Sequence, residues 1–582
     1  MKIMTQSSSA APDLRWRLGL MAAAIVVVIT SIPQIGLIVK RGGEWHGSYA
    51  LIDFDELSYA AYLNSLIDGR PRRNNPYLGR DSDQRSTGES YFSIQSLPAY
   101  AVALPARALG LSTSTTLIVL ARLMAFASAL AVFWLLFQIT KNESVSAVGT
   151  LIVLLCGRLA SENPLLPVQN YSSFAFLRMY LPAIPFPLFF LFCGFVWRAF
   201  VARSKMWALA AGAVLAVLIY SYFYLWTAAA AWLLCFGMLW LVARAADRRA
   251  TAKSILIVAA VSLAALVPYL YLLSQRAHTI DEDQALTFSR APDLFRVTEI
   301  IGLLVVLILL VQIQRRRIDW RSPEALFAIA CAVSPFIVFN QQVITGISLQ
   351  AFHYEQFIIN YVVLVSLVGM YHLLWSHLKI RPIVWATFAV GVGLVTALKD
   401  VHDNSALNVR RDQAKPVFAQ LAGSDSYGWI LFDNSLLAAS VLTDSSMPQF
   451  WSPNMHIYGG IVETEKIDRF YQYLYLLGIS PQTFSDELQH NVQVRVAVFG
   501  LPRVNGILSR NPAPISDAEI RGSVEAYTSY VNNFSAAQAS RWPLVYVITI
   551  TDHDFTNLDR WYTRTELERA GECVVYRVRL KP

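Results

Sequence analysis

The chain has 582 residues, of which 55% are hydrophobic, 12% aromatic and only 15% charged, with a formal net charge of +8. Soluble domains carry about 25% charged residues, and a mean hydropathy of +0.42 leaves more apolar surface than a soluble fold of this length can cover; the aromatic content excludes a disordered chain. The composition specifies a polytopic α-helical membrane protein. Four of the five cysteines (Cys156, Cys193, Cys235, Cys331) lie in apolar runs and Cys573 stands alone near the end, so no disulfide framework is expected. The excess of Lys and Arg flanks apolar runs, where it sets topology, and this excludes nucleic acid as the partner.

Taken in chain order, apolar runs near 18–39, 117–139, 145–160, 182–201, 206–223, 225–243, 254–273, 297–313, 324–340, 357–375 and 383–399 predict about 11 membrane-spanning helices. Lys2, Arg15 and Arg17, then Lys141, Arg203, Lys205, Arg244, Arg248, Arg249, Lys253, Arg315–Arg317, Arg321, Lys379 and Arg381 all fall on one side of these spans, which the positive-inside rule makes cytoplasmic. The stretch 93–110, with Pro98, Pro105 and Arg107, reads as a helix on or dipping into the outer face, because counting it as a span inverts every later loop. The first span is read as retained, since its apolar core exceeds a signal-peptide core. The segments 40–116, 161–181, 274–296, 341–356 and 400–582 then lie outside. The expected organisation is a transmembrane module over 1–399 and an extracytoplasmic α/β domain over 400–582. In the latter, Gly428–Phe432, Val494–Phe499, Leu544–Ile550 and Cys573–Leu580 read as strands, and 410–421 and 462–478 as helices.

The first outer loop is the most informative segment. From Leu51 to Gly69, apolar Phe54, Leu57, Ala61 and Leu63 alternate with polar residues at roughly helical spacing, which predicts an amphipathic helix lying at the membrane surface. Asp53, Asp55 and Glu56 cluster at its N-terminal end. The helix dipole favours ionised carboxylates there, and an ionised carboxylate at an interface is suited to take a proton from a hydroxyl. The alternative is that Asp53 caps the helix and Asp55 and Glu56 are ordinary first-turn acids.

A first span followed by an outer loop bearing Asp55-Glu56-Leu57-Ser58-Tyr59, and a helix ending in Leu66-Ile67-Asp68-Gly69, resembles the GT-C fold glycosyltransferases, above all the protein O-mannosyltransferases and lipid A aminoarabinose transferases. The topology of the whole chain is similar; the motif covers only this helix, and the family's His-Pro-Pro stretch is replaced by Asn75-Pro76-Tyr77 and later Leu97-Pro98. The resemblance implies a transferase moving a sugar from a polyprenyl phosphate or diphosphate to an acceptor hydroxyl on the extracytoplasmic face, with inversion. The acceptor would be a glycan, a lipid or a protein, and the setting a bacterial inner membrane. By position it makes Asp55 the base, with Glu56 or Asp53 its neighbour and Tyr59 at the substrate. A phosphate leaving group needs no strong acid, so one base and nearby cations suffice. Asp53-Phe54-Asp55 is also an Asp-x-Asp pair, the type that oligosaccharyltransferases of the same fold class use for a divalent cation; two hard oxygens suit Mg²⁺ or Mn²⁺.

The remaining candidates are cations and hydrogen-bonding groups on the outer side. Arg178, just before a span with Pro182, Pro185 and Pro187, can bind phosphate bidentately or anchor the interface beside Tyr180. Gln350, His353 and Glu355 form a polar cluster between two spans, with His353 a candidate for phosphate. Arg276 and His278 are weaker phosphate candidates, and Asp281–Asp283 reads as a solvated acidic turn. Tyr220–Trp226 reads as an interfacial aromatic belt. A phosphate-binding P-loop, zinc-binding Cys and His spacings and a serine-nucleophile elbow are absent from the sequence. A secondary transporter or flippase is the competing reading, disfavoured because the carboxylates sit in outer loops and the sequence has no internal repeat. A non-catalytic scaffold, in which Asp55 is dispensable, is the third.

Overall fold

The computed structural model describes residues 16–81, 88–161, 174–277, 286–374, 381–422, 428–455, 457–504, 514–550 and 554–582; His278, Asp281–Asp283 and Lys379 lie outside them. The chain is a predominantly helical membrane protein. Among the described residues, six helices are long and apolar enough to cross a bilayer: Thr113–Thr140, Phe223–Ala243, Ala245–Ser274, Val297–Gln314, Ala351–Leu374 and Pro382–Phe418. The first expected span is broken. Arg17–Thr30 (α1) and Ile32–Arg41 (α2) meet at 41°, at Ser31, whose hydroxyl donates to the Val27 carbonyl, and Pro33 in the first turn of α2. Glu143–Leu155, Pro185–Val201, Lys205–Ile219 and Pro323–Val338 are apolar but shorter.

The helices that position the site are α3 (Glu56–Ile67), α4 (Leu97–Ala108), α5 (Thr113–Thr140), α6 (Glu143–Leu155), α7 (Asn360–Leu374) and α8 (Pro382–Ala422). With 12 residues, α4 is about 18 Å long, too short to span the hydrocarbon. α3 departs from expectation. Every residue from Glu56 to Leu66 is buried, so it is not a surface helix with one wet face. Its upper side is covered by residues almost four hundred positions later. The Tyr458 hydroxyl donates to the Ser58 carbonyl, and the Tyr458 ring stacks on Phe92 at 4.6 Å.

α8 has 41 residues and is about 60 Å long. It runs unbroken through residues 399 and 400, merging the expected last span with the helix expected at 410–421. Asp412, fully buried on this helix, accepts from Arg41 Nε (2.9 Å), the His46 amide (3.1 Å) and the Ser48 amide (3.3 Å). Asn408 exchanges two hydrogen bonds with the Leu51 backbone. The loop after α2 is thereby fastened to α8.

Beyond α8, strands β1 (Trp429–Phe432), β2 (Leu544–Thr549), β3 (Tyr562–Ala570) and β4 (Cys573–Leu580) form one sheet in the order β1-β2-β4-β3, with β1 and β2 parallel and the other pairs antiparallel. Alternate residues serve opposite faces. Ile430, Phe432, Tyr546 and Ile548 pack with Phe418 of α8, while Leu431 and Val547 pack with Phe470 and Phe484. The strand expected at Val494–Phe499 is instead part of a helix, Val492–Phe499, capped by Asn491 accepting the Gln493 amide and ended by Gly500 at φ +77°. Its β-branched residues pack as well from a helix once both ends are fixed.

Candidate functional site

The loop before α3 brings its carboxylates to one cation. The helix begins with a tight turn in which the amides of Glu56, Leu57 and Ser58 bond the carbonyls of Asp53, Phe54 and Asp55. Asp53 is therefore not the cap; Asp55 stands at that position, and its side chain makes no capping bond. Asp53 Oδ1 instead accepts the Asp55 amide at 3.1 Å. Both carboxylates face Arg178: its Nη2 lies 3.0 Å from Asp55 Oδ2 and its Nε 3.4 Å from Asp53 Oδ2.

The two carboxylates differ in exposure, and that difference is chemical. The Arg178 side chain is 2% exposed and that of Asp53 12%, whereas that of Asp55 is 63% exposed. Arg178 is held between the rings of Tyr59 (5.2 Å) and Phe357 (5.1 Å), a desolvated setting in which the guanidinium keeps its charge. Met179 next to it adopts φ +45°, a left-handed turn that costs energy for a residue with a side chain. This turn aims Arg178 at α3. The packed surroundings raise the Asp55 carboxyl above the usual carboxylate range, Arg178 pulls it back, and Asp53 adds to the rise.

Glu56 points the other way. It is 2% exposed and accepts the Ile52 amide at 3.1 Å. It lines a small cavity of about 40 Å³ with Gln34, Tyr49 and Arg122. Burial pushes its carboxyl up to about 8, with the charge of Asp53 adding to the rise. Glu56 is therefore a neutral acid at pH 7, and Asp55 alone presents an open carboxyl.

Of the other expected residues, Tyr59 and Tyr180 join the cluster, with ring centroids 5.6 Å apart. Tyr180 is fully buried, and its hydroxyl has no partner among the described residues. His353 reaches the same wall through Phe357, on which it stacks at 5.1 Å and 19°; its Nδ1 is buried without a hydrogen bond among the described residues. Phe357 lies on a π-helical turn, Glu355–Ile359, the kind of irregularity that recurs at functional positions. The structure does not bring the rest to Asp55. Glu355 is paired with Arg296 (2.6 Å), which also holds Asp293 (2.6 Å). Gln350 Oε1 accepts the Tyr224 hydroxyl (2.8 Å). Arg276 is exposed, and its backbone bridges to Glu89.

Two further neighbours escaped the sequence reading. Tyr222 packs on Phe357 at 6.0 Å and Tyr224 on His353 at 4.7 Å. Both are 1% exposed, so they are not an interfacial belt: the short turn at Ser221 points them inward. Their only sequence signal was the density of aromatics from Tyr220 to Trp226. A divalent cation fits the Asp53–Asp55 pair poorly, because both carboxylates already face the guanidinium of Arg178. Among the described residues no group of three or more His, Cys, Asp and Glu side chains could hold a metal.

No protein-family model and no curated protein matches the chain. Among solved structures, the chain is similar to the oligosaccharyltransferase of Archaeoglobus fulgidus, tethered by a disulfide bond to an acceptor peptide containing the NVT sequon. That likeness covers 84% of this chain and 72% of the other, at 10% identity and a TM-score of 0.41. The chain is also similar to ArnT from Cupriavidus metallidurans bound to undecaprenyl phosphate, over 95% of this chain and 98% of the other, at 14% identity and a TM-score of 0.40.

Proposed function

We propose that the chain is a GT-C type glycosyltransferase that moves a sugar from a polyprenyl-phosphate or diphosphate donor to an acceptor hydroxyl on the extracytoplasmic face. The observation that carries this reading is one open carboxylate, Asp55, set 3.0 Å from one buried guanidinium, Arg178, on the loop that bears the Asp-Glu-x-x-Tyr motif. A base and a phosphate-binding cation side by side are what the transfer needs. Asp55 takes the proton of the acceptor hydroxyl. The hydroxyl oxygen attacks the anomeric carbon as the bond from that carbon to the phosphate oxygen breaks. The electron pair leaves on the phosphate, where Arg178 meets the charge. A single displacement inverts the anomeric centre. Asp53 keeps Arg178 aimed, and the rings of Tyr59, Tyr180 and Phe357 exclude water from the guanidinium.

In this reading all eleven apolar helices cross the membrane, including the bent pair and the four shorter ones. Loop 40–116 and residues 400–582 face the outside. The sheet-bearing region caps the acceptor side, because Asn75 and Arg80 of the loop bind it directly: Asn75 Nδ2 donates to the carbonyls of Met455 (2.8 Å) and Gly459 (2.7 Å), and Arg80 pairs with Glu465 (2.6 Å).

Asp55→Asn in the native host tests the proposal. With equal membrane levels of both proteins, mass spectrometry of surface glycans and polyprenyl-linked sugars is expected to show loss of one glycan residue and build-up of one sugar-lipid. Unchanged pools would overturn Asp55 as the base and return weight to a transporter or scaffold.

A further inference from the structure

A cleft on the membrane-facing side of the molecule lies away from the Asp55–Arg178 cluster. Its inner part, about 400 Å³, lies between α6, α7 and α8 and is apolar, with Ile152, Leu367, Met370 and Phe388 in its walls. At Leu159 and Phe388 it joins a second space of about 590 Å³ that follows α8 past Gly391 and Val395 to Lys399, with Arg158 opposite. From Trp385 to Lys399 the cleft follows about 21 Å of helix axis. Arg158 and Lys399 are the only charged residues lining either space among the described residues, and both line the second one. Gly391 keeps the outer part open: a Cβ there meets nothing within 4 Å.

A long apolar trough with two cations in its outer part is complementary to a hydrocarbon chain that carries a phosphate. We propose that this cleft holds one anionic glycerophospholipid, with an acyl chain along α8 and its phosphate between Arg158 and Lys399. A sugar donor is the poorer occupant, for two reasons. Asn404, which reaches the Ile52 carbonyl beside Asp53 (3.3 Å), is five residues beyond Lys399, so the two side chains leave α8 about 140° apart. The ring of Tyr361, against Gly157 on one side and 4.8 Å from Phe186 on the other, walls the cleft from the aromatic cluster. The exposed pairing of Lys399 with Asp403 (3.3 Å) is of the solvent-screened kind that a phosphate can outcompete. This site does not depend on the transferase reading.

The test is lipid retention by the full-length protein. The chain is reconstituted in nanodiscs of mixed phosphatidylcholine and phosphatidylglycerol, released into mild detergent, and weighed by native mass spectrometry. Wild type is expected to keep one phosphatidylglycerol in preference to phosphatidylcholine. The double variant Arg158→Gln, Lys399→Gln loses that preference by about 30-fold, the effect of two interfacial cations on an anionic lipid. Gly391→Phe fills the outer trough and loses both lipids, with elution and helicity unchanged. Equal retention of the two lipids by wild type, or unchanged retention in both variants, overturns the proposal. So does one-for-one displacement of phosphatidylglycerol by undecaprenyl phosphate that the double variant abolishes. If Gly391→Phe fails to fold, the charge variant alone decides.

Discussion

Glu56→Gln tests the claim that Glu56 holds its proton in the folded protein at neutral pH. The Glu56 carboxyl is buried and is pushed from 4.5 to about 8. An unfolded chain releases this proton near the ordinary value, so between the two values the folded protein holds a proton that the unfolded one has lost. Stability therefore falls as pH rises from about 4.5 to about 8 and is level above that. At pH 7 the gap amounts to about 3 kcal/mol, at about 1.36 kcal/mol per pH unit. Glutamine keeps the shape and neutrality of the protonated acid and removes this loss. An unfolding entropy of about 2.1 cal/mol/K per residue, summed over the chain, is about 1.2 kcal/mol/K, so the gain corresponds to about 3 °C in melting midpoint. Scanning fluorimetry of purified wild type and variant at pH 5, 6, 7 and 8 reads it directly. The difference is expected to be under about 1 °C at pH 5 and to grow to pH 8. A difference that is flat, or that shrinks toward alkaline pH, would refute the reasoning, because it would mean that Glu56 is ionised in the folded protein.

Four other outcomes follow from the same geometry. Asp55→Asn is expected to slow transfer by about 10²–10⁴-fold, the usual range for one general base, in a protein that still folds; a melt of the variant alongside its transfer rate separates lost chemistry from lost stability. The acid limb of the wild-type rate is expected above the ordinary aspartate value of 3.8, because protonation of Asp55 removes the base; a pH–rate profile locates it. Arg178→Gln leaves the buried carboxylate of Asp53 without its cation and is expected to cost about 3–5 kcal/mol, visible as lost expression or a lower melt, whereas Arg178→Lys keeps the charge and loses the two-carboxylate reach, so its deficit is expected in donor binding. Asn75→Ala removes bonds to Met455, Gly459 and the Leu78 amide and is expected to cost about 2–3 kcal/mol at about 1 kcal/mol each, with limited proteolysis showing the sheet-bearing region released from the loop.

How much of this was legible depended on whether the deciding contact was local. The apolar helices and strands β1, β2 and β4 follow from apolar runs and alternation over a few residues. The burial of α3 does not, because its cover comes from Tyr458, remote in sequence. Strand β3 carries Thr563-Arg-Thr-Glu-Leu-Glu-Arg569 and buries little beyond Tyr562, so it lacks the apolar alternation by which a strand is recognised. Arg178 was visible as a cation beside a proline-rich span. Its pairing with Asp53 and Asp55, 123 positions away from the latter, was not. Tyr222 and Tyr224 had the composition of an interface belt; only the turn before them sends their rings inward.

The fastening of the first loop to α8 bears on the order in which the protein is made. The ribosome delivers Asp53, Asp55 and Glu56 after the bent pair α1–α2 alone, yet Arg41 meets Asp412 only 371 positions later. The apolar helices before α8 can thus all be made while the acidic turn still lacks its anchor. Competence to insert and competence to react are acquired at different moments of synthesis. A nonsense or frameshift lesion just upstream of Asn408 would leave the apolar helices before α8 intact and a loop without its bonds to Asn408 and Asp412.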